Sequence, residues 1–250
     1  MSAAVSARTE ALQKEPQERL LEAVGLSREF PMGEGTIKVL RGLTFHVDRG
    51  EYVALIGPSG SGKSTLMYQL GCLDTPTAGT MKIAGYDVSD LTDSELAALR
   101  NRFIGFVFQS FNLLPRTTAT DNVALPLRYA GVGLRERRRR AVLALEKVGL
   151  SHRAEHTPER MSGGEKQRVA IARAIVTGPE LLLCDEPTGN LDQKSGAEIV
   201  QLFETLNAEL GVTLIVVTHD PKIARRARRV IELVDGQIRH DGSPEGGSNV

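Results

Sequence analysis

The stretch GPSGSGKST at residues 57–65 constrains this chain more than any other. It fits the pattern G-x-x-x-x-G-K-[ST], with Gly57, Gly62, Lys63 and Ser64 at the fixed places. Gly57, Gly60 and Gly62 let the backbone turn tightly, so that its N–H groups point inward at phosphate oxygens. Pro58, Ser59, Ser61 and Thr65 complete the loop. Lys63 adds a positive charge aimed at β- and γ-phosphates, and the Ser64 hydroxyl is a natural Mg²⁺ ligand. The flanks agree: YVALI before the loop reads as a buried strand, and TLMYQLG after it continues as a helix whose positive end faces the phosphates. The chain is therefore expected to bind a nucleoside triphosphate.

A length of 250 residues allows one large α/β domain or two small ones. Lys plus Arg and Asp plus Glu balance at 31 each, which removes any global charge reason to expect nucleic acid as a partner. Cys72 and Cys184 lie far apart without metal-ligand neighbours, so no disulfide framework is expected and a reducing cytoplasm is the default. No apolar run approaches the roughly 20 residues needed to cross a bilayer. If the chain works on a membrane, another chain is expected to supply the membrane part.

The remaining pattern divides into a polar tail at 1–18, a domain at 19–240 and a Gly/Ser/Pro-rich tail at 241–250, both tails expected to be disordered. Residues 20–30 and 37–47 read as strands and 80–88 as a strand turning at Gly85, together a small antiparallel sheet. Residues 90–165 read as a mostly helical insertion, with a short strand over 104–109, a loop over 111–121 and an interruption at Pro126. Within it, Val142, Leu143, Leu145 and Val148 mark the apolar face of a helix over 135–148, and the arginines at 135 and 137–140 its solvated face. Arginines 225, 226, 228 and 229 read likewise as a solvated face, on a short helix over 221–229. The α/β pattern resumes at Met161 and closes in a hairpin around Asp235-Gly236.

Three further strand ends carry chemistry. LLLCDE at 181–186 delivers two carboxylates at the C-terminal end of an apolar strand, where doubly wound folds place ligands. Asp185 suits Mg²⁺, and Glu186 is the natural general base for water attacking a γ-phosphate. His219 ends VTLIVVT and can donate to the γ-phosphate or orient the water. Gln109 ends IGFVFQ, and a neutral amide there can sense Mg²⁺ or the attacking water.

Ser162-Gly163-Gly164-Glu165, followed by Lys166-Gln167-Arg168, resembles the signature of ATP-binding-cassette (ABC) ATPases. A Ser hydroxyl, Gly N–H groups and a helix N-terminus make a second γ-phosphate site, and the resemblance implies that this site faces the phosphate loop of a second copy. The family's other motifs fall in order: Phe30 matches the aromatic that stacks on adenine, Gln109 the Q-loop, TGNLD ending at Asp192 the dimer-contacting D-loop, and His219 the switch histidine. LGCLDTPTAG, IGFVFQSFNLLP, NVALPLRYAGV and DEPTGNLD are similar to the macrolide-exporter and lipoprotein-release (MacB- and LolD-like) subgroup. Met161, Lys166 and Cys184 depart slightly from the commoner residues.

The resemblance implies an α/β fold, a P-loop NTPase (RecA-like) core with an antiparallel β-subdomain and a helical ABC insertion. It implies ATP and Mg²⁺ as ligands, a homodimer, and a separate integral-membrane permease on the cytoplasmic face of the inner or plasma membrane. The activity implied is ATP hydrolysis driving export or extraction of lipoprotein, peptide or drug-like substrates. Two alternatives stand beside it: a regulatory ATPase of a cell-division-type membrane complex, and a soluble non-transport ABC ATPase. Members of the last class usually carry two cassettes or a long coiled-coil insertion, and this chain shows neither.

Overall fold

The structure, a computed structural model, describes residues 18–33 and 35–246. The expected N-terminal tail falls outside the described residues except for Glu18. The last four residues of the expected C-terminal tail also fall outside them.

Among the described residues, ten strands form two sheets. The first, in order β2-β1-β4-β5, is antiparallel and contains β1 (Arg19–Met32), β2 (Gly35–Asp48), β4 (Ala78–Ile83) and β5 (Tyr86–Asp87). The second runs β10-β9-β3-β8-β7-β6. Its members are β3 (Tyr52–Ile56), β6 (Ile104–Phe108), β7 (Leu181–Asp185), β8 (Thr213–Val217), β9 (Arg229–Val234) and β10 (Gln237–Gly242). All its pairs are parallel except the β9–β10 hairpin.

Strands β3, β7 and β8 are almost wholly buried and read as near-continuous apolar runs, as strands covered on both faces must. Their side chains alternate between two cores. Tyr52, Ala54, Leu182, Cys184, Leu214 and Val216 pack on one face, with Val123, Leu145, Val169, Ile171 and Phe203 from the helices. Val53, Leu55, Leu181, Leu183, Ile215 and Val217 pack on the other, with Leu66, Leu70, Leu99 and the small antiparallel sheet.

The helices are α1 (Lys63–Leu70), α2 (Asp93–Phe103), α3 (Ala119–Tyr129), α4 (Leu134–Lys147), α5 (Gly163–Ile175), α6 (Gln193–Leu210) and α7 (Pro221–Ala224). Several boundaries correct the sequence reading. The stretch 90–165 is not one insertion, because β6 is the edge strand of the parallel sheet, paired with β7, and α2 packs into the core shared with the antiparallel sheet. Only the segment after β6 departs from the sheet. The expected loop over 111–121 gives way at Ala119 to α3, capped by the Thr118 hydroxyl, which accepts from Asp121 N. Pro126 does not interrupt α3; it lies in the second half of the helix, which continues past it at the cost of one backbone bond, and Asn101 donates to the Pro126 carbonyl.

In α4 the buried face is Ala141, Ala144 and Leu145, continued by Val148, while Val142 and Leu143 stand exposed. The arginines of α4 lie largely on the surface as expected, and Glu136 accepts from both Arg139 and Arg140. The second arginine cluster is not one solvated helical face. Helix α7 stops at Ala224, and Arg229 belongs to β9, where it bridges Asp241 of β10 and Glu51. That bridge ties the terminal hairpin to the start of β3. Strand β10 accordingly runs through Asp241 and Gly242, past the expected domain end, and Pro244–Gly246 form a short 3-10 turn.

Candidate functional site

Register alone converges the strand ends. Leu55 pairs with Val217, Asp185 with Val217, and Phe108 with Asp185. Because these strands are parallel, the residues that follow them emerge from one edge of the sheet. Gly57, Glu186, His219 and Gln109 are therefore brought to a common edge by strand pairing.

A cleft of about 470 Å³ opens there. Gly57, Ser59, Gly60, Gly62, Lys63, Ser64 and Thr65 line one side, and Asp185, Glu186, Val217 and His219 the other. The loop needs its glycines for different reasons. Gly57 has φ +145°, and a Cβ there would lie 2.0 Å from the Leu233 carbonyl oxygen. Gly62 has φ +103° and presses against Leu40 and the Val39 carbonyl. At these two positions the loop thus sits flush on β9 and β2 with no room for a side chain.

Helix α1 begins at Gly62 with no capping side chain and no acidic residue in its first turn. Helices α2, α3, α5 and α6 each carry a capping side chain. The first-turn N–H groups of α1 are thereby left for an anion, which the helix dipole favours. Lys63 Nζ donates to the carbonyls of Gly57 (2.8 Å) and Pro58 (2.7 Å), so it braces the loop from within. Burial lowers the Lys63 pKa, and the carboxylates of Glu186 and Asp185 act in the opposite sense. Burial, then the Glu186 charge, pushes the Asp185 carboxyl up, with Lys63 opposing. A cleft that joins an uncapped helix start, the Lys63 ammonium and a carboxylate whose pKa is raised fits a phosphate–cation pair.

No group of three His, Cys, Asp or Glu side chains that could hold a metal exists among the described residues. Mg²⁺ is commonly held by one or two protein oxygens plus substrate phosphates, and Ser64 and Asp185 in the same cleft meet that requirement.

Glu186 adopts φ +45°, a left-handed conformation costly for a residue with a Cβ. Its N–H donates to the Val217 carbonyl (2.9 Å), and its carbonyl accepts from Gly189 N (3.0 Å). With Nδ1 protonated, His219 donates to Glu186 Oε1 at 2.7 Å. The imidazole is 75% exposed while the carboxylate is 21% exposed, so the histidine stands on the solvent side of a sheltered base.

The other expected residues lie elsewhere. Gln109 is exposed and does not line the cleft; its side chain lies against Gly189, and Asn190 Nδ2 donates to its carbonyl (3.0 Å). Pro58 faces a second cleft behind the loop, with His219 and Glu232, and Ser61 is buried. Ser162, Gly163 and Gly164 open α5 away from the cleft. Ser162 Oγ accepts from Glu165 N (3.2 Å), and Glu165 Oε2 accepts from Ser162 N (2.8 Å). Glu165 also pairs with Arg153 (2.8 Å), and its carboxylate shapes the helix start. Asp192 caps α6 through Ser195 N (3.0 Å).

Phe30 is 38% exposed near the β1–β2 tip, with the Arg28 guanidinium 4.5 Å from its ring centroid. It is not a core residue, so its removal tests binding without emptying the core. Phe30→Ala is expected to weaken ATP binding about 10-fold, in the range of base–aromatic stacking, with an unchanged melting temperature. Equilibrium binding of a fluorescent ATP analogue, competed with ATP, checks this.

Val39 and Val217 also line the cleft and escaped sequence reasoning. Val217 was within reach, two residues before His219 on the same strand. Val39 gives no local signal, because β2 reaches the cleft only through pairings such as Arg41 N to the Gly236 carbonyl (2.9 Å).

Comparison with known proteins agrees with this geometry. The ABC transporter family profile matches residues 40–189. A macrolide export ATP-binding/permease protein MacB from Rhodopirellula baltica is 53% identical over 225 residues, 89% of this chain and 33% of that protein. An uncharacterized ABC transporter ATP-binding protein from Thermotoga maritima is 53% identical over 220 residues, covering 88% of this chain and 94% of that protein. The chain spans one third of the MacB relative and nearly all of the second. Among solved structures, the bacterial ABC transporter cassette MJ0796, determined as a dimer, superposes with a TM-score of 0.82 at 43% identity, covering 91% of this chain and 100% of that one. The same cassette in a dimeric post-hydrolysis state bound to ADP and Pi matches equally well.

Proposed function

The chain belongs to the ABC transporter family and is an ATP-hydrolysing nucleotide-binding cassette, and on that premise we propose that two copies close around two ATP molecules and drive a separate membrane permease. The observation that carries this reading is the single cleft joining the phosphate loop to Asp185, Glu186 and His219.

In this reading the loop N–H groups and Lys63 bind the β- and γ-phosphates. Ser64 and Asp185 hold Mg²⁺, which would neutralise phosphate charge when bound. Glu186 takes a proton from the attacking water, and its strained turn and sheltered position hold the carboxylate at the cleft. His219 fixes the Glu186 rotamer through Nδ1 and leaves Nε2 for the γ-phosphate. Gln109, outside the cleft of a single chain, reports the state of the site to the helical segment after β6. Phe30 supports the base. Ser162, Gly163 and Gly164, remote from their own cleft, complete the site of the second copy, and Asp192 lies at the contact between copies.

No helix among the described residues is long and apolar enough to cross a membrane. The proposed place of work is the cytoplasmic face of the membrane, against a membrane permease. The relatives named MacB favour export or extraction of lipoprotein, peptide or drug-like molecules. Affinity purification from membranes followed by mass spectrometry tests this. Recovery of a permease with a large extracytoplasmic domain is expected. Recovery with a division partner, or from the soluble fraction with ribosomal or DNA-associated proteins, would overturn the export reading.

A further inference from the structure

Gln167 is the only polar residue on the buried face of α5, among Val169, Ala170, Ile171, Ala172, Ala174 and Ile175. It is fully buried. Its Nε2 donates to the Pro187 carbonyl at 2.7 Å, and its Oε1 is buried without a hydrogen-bond partner. An orphaned amide oxygen in an apolar setting destabilises a fold. Leucine or methionine would occupy a similar volume without the orphaned amide oxygen, but would leave the buried Pro187 carbonyl without its partner. Packing therefore does not account for glutamine here.

What the amide holds does. Glu186 and Gly189 close a four-residue turn through the Gly189 N to Glu186 O bond (3.0 Å), with Pro187 at its second position, where its fixed φ is favoured. The Pro187 carbonyl belongs to the central peptide of that turn. Rotation of this peptide separates the two common turn types; Thr188 at the third position is not at positive φ, so the turn takes the first type, and the N–H held on the Pro187 carbonyl anchors that peptide in place. The same turn begins with the left-handed Glu186 and ends with Gly189, whose Cα lies against the Gln109 side chain. Proline offers no N–H of its own, and Thr188 continues only through its carbonyl to Leu191 N (3.0 Å). Gln167 is thus the side-chain bond that fixes the centre of the turn.

We propose that Gln167 is a positioning residue for Glu186, holding the turn that carries the general base from the same helix whose N-terminus, at Ser162, is offered to the second copy's ATP. Helix α5 and the catalytic turn then shift together, so closure of the dimer on Ser162 is transmitted to the carboxylate of the chain's own site. The inference rests on the reading of Glu186 as the base.

The test compares full-length wild type, Gln167→Leu, Glu186→Gln and the double variant by steady-state ATPase kinetics, ATP binding and thermal melting. Gln167→Leu is expected to lower kcat about 10-fold, the scale of a small misplacement of a reacting group, with ATP affinity within about 2-fold of wild type and a modest drop in melting temperature, because the buried Pro187 carbonyl loses its partner. A purely structural role would lower ATP affinity together with kcat. In the Glu186→Gln background, Gln167→Leu is expected to cause no further loss. Wild-type kcat in Gln167→Leu, or a full additional loss in the double variant, overturns the proposal while leaving Glu186 as the base. Near-normal turnover in Glu186→Gln overturns the reading beneath it. Should leucine fail to fold, Gln167→Met keeps the chain length, removes the N–H and is held to the same outcomes.

Discussion

Glu186→Gln binds ATP but hydrolyses it about 10²–10⁴-fold more slowly, the usual contribution of a positioned base. The amide keeps the shape of the carboxylate, and its oxygen still accepts the 2.7 Å bond from His219, so the turn and the cleft persist. What is lost is the proton acceptor. One negative charge also leaves a cleft in which it raises the neighbouring Asp185 pKa. ATP affinity should therefore hold or improve. With hydrolysis blocked, ATP-bound chains accumulate as closed dimers, visible as a doubled mass in size-exclusion chromatography with light scattering. Near-normal turnover, or a variant that stays monomeric with saturating ATP, would contradict the assignment.

Lys63→Ala loses about 10- to 100-fold in ATP affinity, the scale of a charge-assisted hydrogen bond of about 1.5–3 kcal/mol. Burial lowers the ammonium pKa, and Glu186 and Asp185 act in the opposite sense. Without nucleotide it braces the Gly57 and Pro58 carbonyls. Alanine removes that brace as well, and a small drop in melting temperature accompanies the loss of binding. Isothermal titration with a non-hydrolysable ATP analogue checks the first effect; unchanged affinity would contradict it.

The phosphate loop and the strand ends at Asp185 and His219 were legible because their signals are local: a fixed spacing, or an apolar run ending in a polar residue. Parallel register then does what local signals cannot, setting Phe108, Asp185 and Val217 in one row. Three misreadings came from local rules that tertiary packing overrode. Pro126 reads as a breaker, yet α3 continues because its packing against α4 and α5 outweighs one missing bond. Val142 and Leu143 read as core, yet the helix turns the smaller Ala141 and Ala144 inward with Leu145. Arg229 reads as solvated until β9 and β10 pair and bring Asp241 to it. Val39, the left-handed Glu186 and the Gln167–Pro187 bond depend on approaches between elements far apart in sequence. No single stretch carries them.

The composite site is the central claim, and Ser162→Asp in the Glu186→Gln background tests it most directly. Aspartate is as good a helix cap as serine, so α5 and the fold are preserved, while its charge repels a γ-phosphate. Ser162 lies outside its own cleft. The double variant is therefore expected to bind ATP as a monomer with the affinity of Glu186→Gln, yet to sediment as a monomer at ATP concentrations where Glu186→Gln is fully dimeric. A double variant that still dimerises with ATP, or that loses ATP binding as a monomer, would contradict a site shared between two copies.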